Sequence, residues 1–426
     1  MSRFSKEKKK IKSRLRIVST ILFVILVTWF CPAANSASPY GRYIIYTADD
    51  AAVRQAAIQT VSTNDGVILK QLAKARGLVA AIPVEAVGLV KNVPGVLAVE
   101  PDVVLTAAIR QSGSSQLSET SAQAAQQLSW SADRIDAELA WKRSASGSGV
   151  GIAIIDTGID NDHVDLSGNL VGGINFVGTG SYWKQVVNPA GWDDDNGHGT
   201  CVAGIAAAAN NKTGIVGVAP KASLWAVKVL DRNGSGYLSD VIDGILWCVN
   251  RSDIWVINLS MGINKEQLEQ YPANLKLFRD AVDDANNAGI VVVASAGDNG
   301  NIDGFGDNVT YPARFDSVIA VGATDASDER AWFSSTGPSV ELAAPGVNIV
   351  STSNDGSYKK DLSGTSLAAS HVAGTAALVF AGDTNLKNED VRLLLQESAD
   401  KLGSRHEYGF GLVDAEESVT DVQTNP

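Results

Sequence analysis

Cysteine is scarce in this chain. Of three in 426 residues, Cys31 falls in an amino-terminal apolar run, which leaves Cys201 and Cys248 for the rest. Two thiols exclude a disulfide scaffold, and without a CxxC or Cys/His cluster nothing suggests structural zinc. Buried free thiols are the expectation for Cys201 and Cys248, with a single disulfide between them as the alternative. Positive charge is equally thin away from the amino terminus. From residue 121 onward, 20 Lys and Arg stand against 39 Asp and Glu, a net of −19. Such a surface repels nucleic acid and acidic membranes and gives no support to a polyanion partner. The apolar run at 17–30 (IVSTILFVILVTWF) covers 14 residues, short of the roughly 20 that a membrane helix needs.

What is present explains that run. Eight Lys or Arg against one Glu precede it over 3–16, and Ala33-Ala34-Asn35-Ser36 follows with small residues where a signal peptidase reads. The pattern is a secretory signal over 1–36, and an uncleaved anchor is the competing reading. The remainder is then exported, with no stable membrane span. A hydrophobic content of 45% with 19% charged residues is globular, and the length asks for two folded units. In the first, Tyr43-Ile44-Ile45-Tyr46 is strand-like, 49–61 has helical spacing, 77–82 is strand-like, 85–93 is helical, and 96–102 forms a last strand. A β-α-β-β-α-β unit with helices on one face follows. Residues 106–128 then shift to Ser, Gln, Ala and Gly, an accessible linker. By composition it serves a processing site or an interdomain hinge equally well.

Beyond Trp130, continuous apolar runs at 150–156, 222–230, 254–259, 289–295 and 318–321 alternate with helical patterns at 199–210, 238–250 and 275–288. Continuous runs suit strands covered on both faces, so a parallel sheet between helices is expected. Functional residues of such sheets gather at the carboxyl ends of strands, where Asp156 lies. His198 sits between two glycines at the head of a small-residue helix. Ser366 follows Gly364-Thr365 at the head of another, which runs on through Ala368-Ala369-Ser370-His371-Val372-Ala373-Gly374. Each residue alone also reads as a cap or turn-maker. Together they supply what acyl transfer needs: a nucleophile at a positive helix end, an imidazole base, and a carboxylate to fix the imidazole's tautomer.

Asp156-Thr157-Gly158-Ile159, His198-Gly199-Thr200 with Ala203-Gly204, and Gly364-Thr365-Ser366 with His371-Val372-Ala373-Gly374 resemble the three signatures of subtilisin-like serine proteases, in that family's Asp, His, Ser order. The likeness runs over about 126–420 and takes in Gly217-Val218-Ala219-Pro220, Tyr311-Pro312-Ala313, Phe333-Ser334-Ser335 and Ala344-Pro345-Gly346. It implies a monomeric serine endopeptidase over 126–426 with an α/β fold, a parallel β-sheet flanked by helices on both faces, and Asp156, His198 and Ser366 as the triad. Residues 37–107 similarly resemble the inhibitory pro-domain of secreted members, through Pro94-Gly95-Val96 and Val99-Glu100-Pro101-Asp102. That implies a small α+β, ferredoxin-like unit which templates folding, inhibits its own enzyme, and is cut off within the 108–125 linker. His163 has no catalytic counterpart, and a structural or solvent-exposed role is expected for it; His406 stays unassigned.

The resemblance also assigns the cleft. Protein or peptide substrates would pair as a strand between Gly234-Ser235-Gly236 and Ser260-Met261-Gly262, read mainly through backbone, so that specificity is broad. Leu238, Val241 and Met261 would line an outer apolar pocket. Asn299 and Thr310, both uncharged, would border the primary pocket and favour an apolar or aromatic P1 residue. The segment 208–216 matches a calcium loop, and Ca2+ takes six to eight oxygens. The implied ligands are the Asn211 and Asp165 side chains, the Ala209, Thr213 and Ile215 carbonyls, and Gln126. The acidic run Asp193-Asp194-Asp195 reads as a solvated loop, with a second cation as the alternative.

One position departs from the family. The side-chain oxyanion donor, normally Asn, is here Asp298, and an ionised carboxylate only accepts hydrogen bonds. Three accounts compete. Asp298 is held protonated, Asn299 swings in, or the Ser366 N–H and Thr365 hydroxyl carry the oxyanion in a slow enzyme. The first is the expectation. A catalytically inactive, peptide-binding homologue is the rival reading of the whole chain.

Overall fold

The structure is a computed structural model that describes residues 40–72, 77–107, 110–111, 125–143, 145–179 and 186–424. The signal expected at 1–36 and most of the 108–125 linker lie outside the described residues. The amino-terminal unit runs β1 (Tyr40–Thr47), α1 (Ala51–Thr63), β2 (Val67–Leu72), β3 (Gly77–Pro83), α2 (Val87–Lys91) and β4 (Val96–Pro101), and its antiparallel sheet has the order β2-β3-β1-β4. α1 starts where it does because the Asp50 carboxylate accepts the Ala52 N–H at 2.7 Å, an N-cap. The two-residue period of the strands splits their side chains between two partners. Ile45, Leu78, Ala80 and Ile82 pack with Ala57, Val61 and Val90 of the unit's own helices. Ile44, Tyr46 and Val79 instead join an apolar cluster of the larger domain. β2 carries no long apolar run and is only half covered at the sheet edge, with Gln71 exposed, so its sequence did not announce it.

After β5 (Val104–Thr106) and β6 (Arg110–Gln111), the larger domain is built on β7 (Gly151–Asp156), β8 (Leu170–Asn175), α3 (His198–Ala207), β9 (Ser223–Lys228), β10 (Ser235–Tyr237), α4 (Leu238–Val249), β11 (Val256–Leu259), α5 (Pro272–Asn287), β12 (Val291–Ser295), β13 (Ile319–Thr324), β14 (Val340–Pro345), β15 (Tyr358–Ser363) and α6 (Thr365–Gly382). Seven strands form one parallel sheet in the order β14-β13-β12-β11-β7-β9-β8. Along β7, Ile152 and Ile154 join the cluster that holds α3 and α6, while Ala153 and Ile155 join that of α4 and α5. Helices therefore cover both faces, as expected for the doubly buried runs.

The two edge strands escaped the sequence reading. Two glycines interrupt LVGGIN, and Glu and Pro interrupt VELAAP, since an edge strand need not be apolar throughout. α6 is apolar enough by composition to cross a membrane, but it is a core helix with 89% of its apolar window buried. Its small residues are a packing requirement. A Cβ on Gly374 would stand 2.6 Å from Val218 Cβ and 3.0 Å from the Ala206 carbonyl of α3, so the two helices approach at van der Waals limits.

Candidate active site

Asp156 closes β7 and is fully buried. Its oxygens lie 2.8 and 2.9 Å from His198 Nδ1, and Oδ1 also accepts the Thr157 N–H at 2.7 Å. His198 opens α3 directly above. Gly199 lets the helix come this close, because a Cβ there would sit 2.1 Å from the Gly158 carbonyl and 3.2 Å from Asp156 Cβ. A ring nitrogen facing a carboxylate donates to it, so Nδ1 carries hydrogen and Nε2 is left as the base. Nε2 is buried and makes no hydrogen bond among the described residues. Burial pulls the His198 pKa down, but the charge and hydrogen bond of Asp156, aided by the charge of Asp194, hold it above the ordinary value.

Ser366 is the second residue of α6, so its N–H has no acceptor within the helix. Its Oγ donates to the Ser260 carbonyl at 3.1 Å, and Ser260 Oγ donates back to the Ser366 carbonyl at 3.0 Å. A cavity of about 390 Å³ opens beside it, lined by Ser260, Gly262, Gly297, Asp298, Asn299 and Thr310 among others. Asp298 Oδ1 accepts both the N–H (3.0 Å) and the hydroxyl (2.8 Å) of Thr365, and its Oδ2 is buried. Asn299 Nδ2 donates to Asn264 Oδ1 at 2.7 Å. The Thr365 hydroxyl thus has its hydrogen engaged by Asp298, and one of the two Asn299 amide hydrogens is held by Asn264.

In the acidic run preceding His198, Asp193 and Asp195 are exposed, as expected of a solvated loop, and Asp194 is the correction. Asp194 is buried, and its two oxygens accept from Thr157 Oγ1, the Asn196, Gly197 and Thr200 N–H groups, and Thr200 Oγ1 at 2.6–2.9 Å. It fastens the start of α3 to the loop after β7. Its sequence signal, an acidic residue three positions before a helix opening on Gly-His-Gly, is too common to have been decisive. Asp195 pairs with Lys228 at 2.6 Å. Cys201 and Cys248 are free and buried, and burial pushes the Cys201 thiol up to about 12. His163 is structural, accepting the Asp165 N–H at 3.1 Å and stacked edge-on to Tyr358. His406 Nε2 bonds the Gly306 carbonyl at 2.7 Å.

The cleft is filled by the chain itself. β5 lies antiparallel to β10, with Leu105 opposite Gly236 and Thr106 opposite Ser235. Thr106 also exchanges backbone hydrogen bonds with Gly262 at 3.2 and 3.0 Å, and the Ala107 N–H reaches the Gly234 carbonyl at 3.0 Å. Leu105 is fully buried in the cluster containing Leu238, Val241 and Met261. Further on, β6 pairs with β15, Arg110 opposite Ser363. Behind this strand the small unit docks on two helix ends. Glu100 accepts the Ala273 and Asn274 N–H groups of α5 at 3.1 and 2.7 Å, and Asp102 accepts the Ser239 N–H of α4 at 3.0 Å. Carboxylates at helix N-termini satisfy orphan donors and the helix dipole together. Arg42 bridges Asp102 (2.7 Å) and Asp240 (3.1 Å), and Lys70 bridges Asp240 and Asp243 (both 2.6 Å).

The residues expected to hold calcium also meet. Gln126 Nε2 donates to the Ala209 and Ile215 carbonyls at 2.8 and 3.0 Å. Asp165, fully buried, accepts from Asn211 Nδ2, Thr213 Oγ1, the Ile215 N–H and Tyr358 Oη.

Comparison with known proteins places this geometry. A family model described as "Subtilase family" matches residues 147–411. The chain is 43% identical over 290 residues to a "Thermostable alkaline protease" of Halalkalibacterium halodurans, covering 68% of this chain and 73% of that protein. It is 36% identical over 411 residues to "Subtilisin E" of Bacillus subtilis, covering 96% and 98%. It is 42% identical over 292 residues to "Subtilisin Savinase" of Lederbergia lenta, covering 68% and 98%.

Proposed function

Because the chain belongs to the subtilase family and is a subtilisin-like serine endopeptidase, we propose that Asp156, His198 and Ser366 are its catalytic triad and that it is made as a secreted, self-processed zymogen. The observation that carries the triad is the buried Asp156–His198 pair, which leaves Nε2 as a base without another partner. In acylation Ser366 Oγ bonds to the substrate carbonyl carbon as its proton passes to His198 Nε2, while Asp156 holds Nδ1–H and stabilises the imidazolium. The carbonyl oxygen becomes an oxyanion held by the Ser366 N–H and by Asp298 as a carboxylic acid, hydrogen on Oδ2. The imidazolium then protonates the leaving amine, and water reverses the sequence to free the acid. A fluorophosphonate probe is expected to label Ser366 in folded, processed protein. Absence of labelling would sink the enzyme reading in favour of an inactive homologue.

The unit at 37–107 acts as pro-domain and inhibitor, a reading supported by β5 lying where substrate would lie. Its register brackets the scissile bond. Thr106 lies opposite Gly262 in antiparallel pairing, and Ser366 Oγ meets the carbonyl of Ser260, two residues back along that segment. On the far side Arg110 pairs with Ser363. The cut therefore falls between Ala107 and Arg110. Ala107, Ala108 and Ile109, the residues available to precede it, are uncharged, in agreement with an apolar P1 preference, and Leu105 fills the outer pocket of Leu238, Val241 and Met261.

The 208–216 loop holds structural Ca2+ in this proposal. The donor set fits: two carbonyls converge on a single amide, and Asp165 is a buried carboxylate with no cationic partner among the described residues. Half a turn of the Gln126 amide, a choice that hydrogen bonding alone decides, would present Oε1 to the same point. Asp165, Asn211, Gln126 and the Ala209, Thr213 and Ile215 carbonyls would hold the ion, which supplies cross-linking of the loop and no chemistry. Ligand at a hundredfold excess over Kd stabilises by about 2.7 kcal/mol, so a chelator is expected to lower Tm by roughly 5–10 °C. An unchanged melting curve would count against the site.

A further inference from the structure

We infer that the calcium loop is complete in the uncut chain, so that calcium binds before the pro-domain is released. The inference rests on the reading of the 208–216 loop as a calcium site. Its observation is that two anchorages coexist in one continuous polypeptide. On one side, β5 and β6 lie in the cleft, held by Thr106 to Gly262, Ala107 to Gly234 and Arg110 opposite Ser363. On the other, the Gln126 N–H donates to the Lys212 carbonyl at 3.1 Å and the Gln127 N–H to the Gly214 carbonyl at 2.8 Å. The Gln126 side-chain amide reaches the Ala209 and Ile215 carbonyls.

The physical reason is chain length. Residues 112–124 separate the two anchorages, and a segment of that size reaches roughly 45 Å when extended. That is about the width of a domain of this size, so neither end need let go for the other to bind. Were the cut bond to stand directly before Ala125, Gln126 could not occupy the loop until the chain was severed. Here cleavage between Ala107 and Arg110 frees the pro-domain without building anything, and the loop's cross-link already supports the precursor.

The test is calcium titration by calorimetry of two chelator-stripped proteins: the uncut full chain carrying Ser366→Ala, and the processed wild-type enzyme blocked at Ser366 by a sulfonyl fluoride. The expected result is one tight equivalent in each, with Kd values within about threefold, and a Kd at least tenfold weaker when Gln126→Ala is added to the uncut chain. Tight binding by the processed enzyme with tenfold or weaker binding by the uncut chain would overturn the inference and leave the calcium site standing. Absence of binding in both would overturn the site itself, and the inference with it. An uncut chain whose affinity ignores Gln126→Ala would remove the residue on which the early assembly depends.

Discussion

Ser366→Ala is expected to lower kcat by about 10⁶, the size of loss that subtilisins themselves show when the nucleophile is removed, and to leave the chain at full length after export. The wild-type protein under the same conditions is expected to lose its pro-domain and to show a first new amino terminus between residues 108 and 110. Both outcomes follow from one arrangement. Ser366 Oγ meets the Ser260 carbonyl at 3.1 Å, two residues from Gly262, which pairs with Thr106. Sequencing the amino termini of both proteins, with turnover of an apolar-P1 peptide measured alongside, checks the two together. If the Ser366→Ala chain were still cut between Ala107 and Arg110 in purified form, the self-processing reading would fail. A first terminus near Ala125 in the wild type would show that the cleft strand is not the processed one.

Asp298→Asn is expected to change the pH profile more than any other single substitution that leaves the triad intact. In the wild type, activity requires His198 neutral and Asp298 protonated. The rising limb belongs to His198, whose pKa lies above the ordinary 6.5 because the charge and hydrogen bond of Asp156, with the charge of Asp194, outweigh burial. The falling limb belongs to Asp298, which becomes acceptor-only as it ionises and then repels the oxyanion. Thr365 donates to its Oδ1 from backbone N–H and hydroxyl. An amide at this position donates at every pH, so Asp298→Asn should keep the rising limb and lose the fall. At the alkaline end it should exceed wild type by about 10²–10³, the typical worth of one such donor. Two profiles of the same shape would show that Asp298 takes no part in holding the oxyanion.

Much of the site was legible in the chain because its residues announce themselves locally. Asp156 ends a continuous apolar run, and His198 and Ser366 each open a helix of small residues behind a glycine. Such helices exist only where two backbones nearly touch, as Gly374 and Ala206 do. The 208–216 loop proposed to hold calcium was legible for a similar reason, since Asn210-Asn211-Lys212-Thr213-Gly214 is a turn rich in oxygen donors. β8 and β14 were not legible, because a sheet edge imposes no periodic burial on its strand.

Composition, spacing and order thus determined the fold class, the three residues proposed as the triad, and the acid at residue 298. Tertiary structure alone decided what that acid faces, since the engagement of Asn299 by Asn264 and of Thr365 by Asp298 joins residues 35 and 67 positions apart. It also decided that Asp194 is a buried clasp, that Glu100 and Asp102 end their strand on two helices of another domain, and that Leu105 and Gln126 are seated at the same time. Contacts of this kind leave no local signature, because a hydrogen bond between distant segments constrains where two backbones meet and not the residues on either side of each.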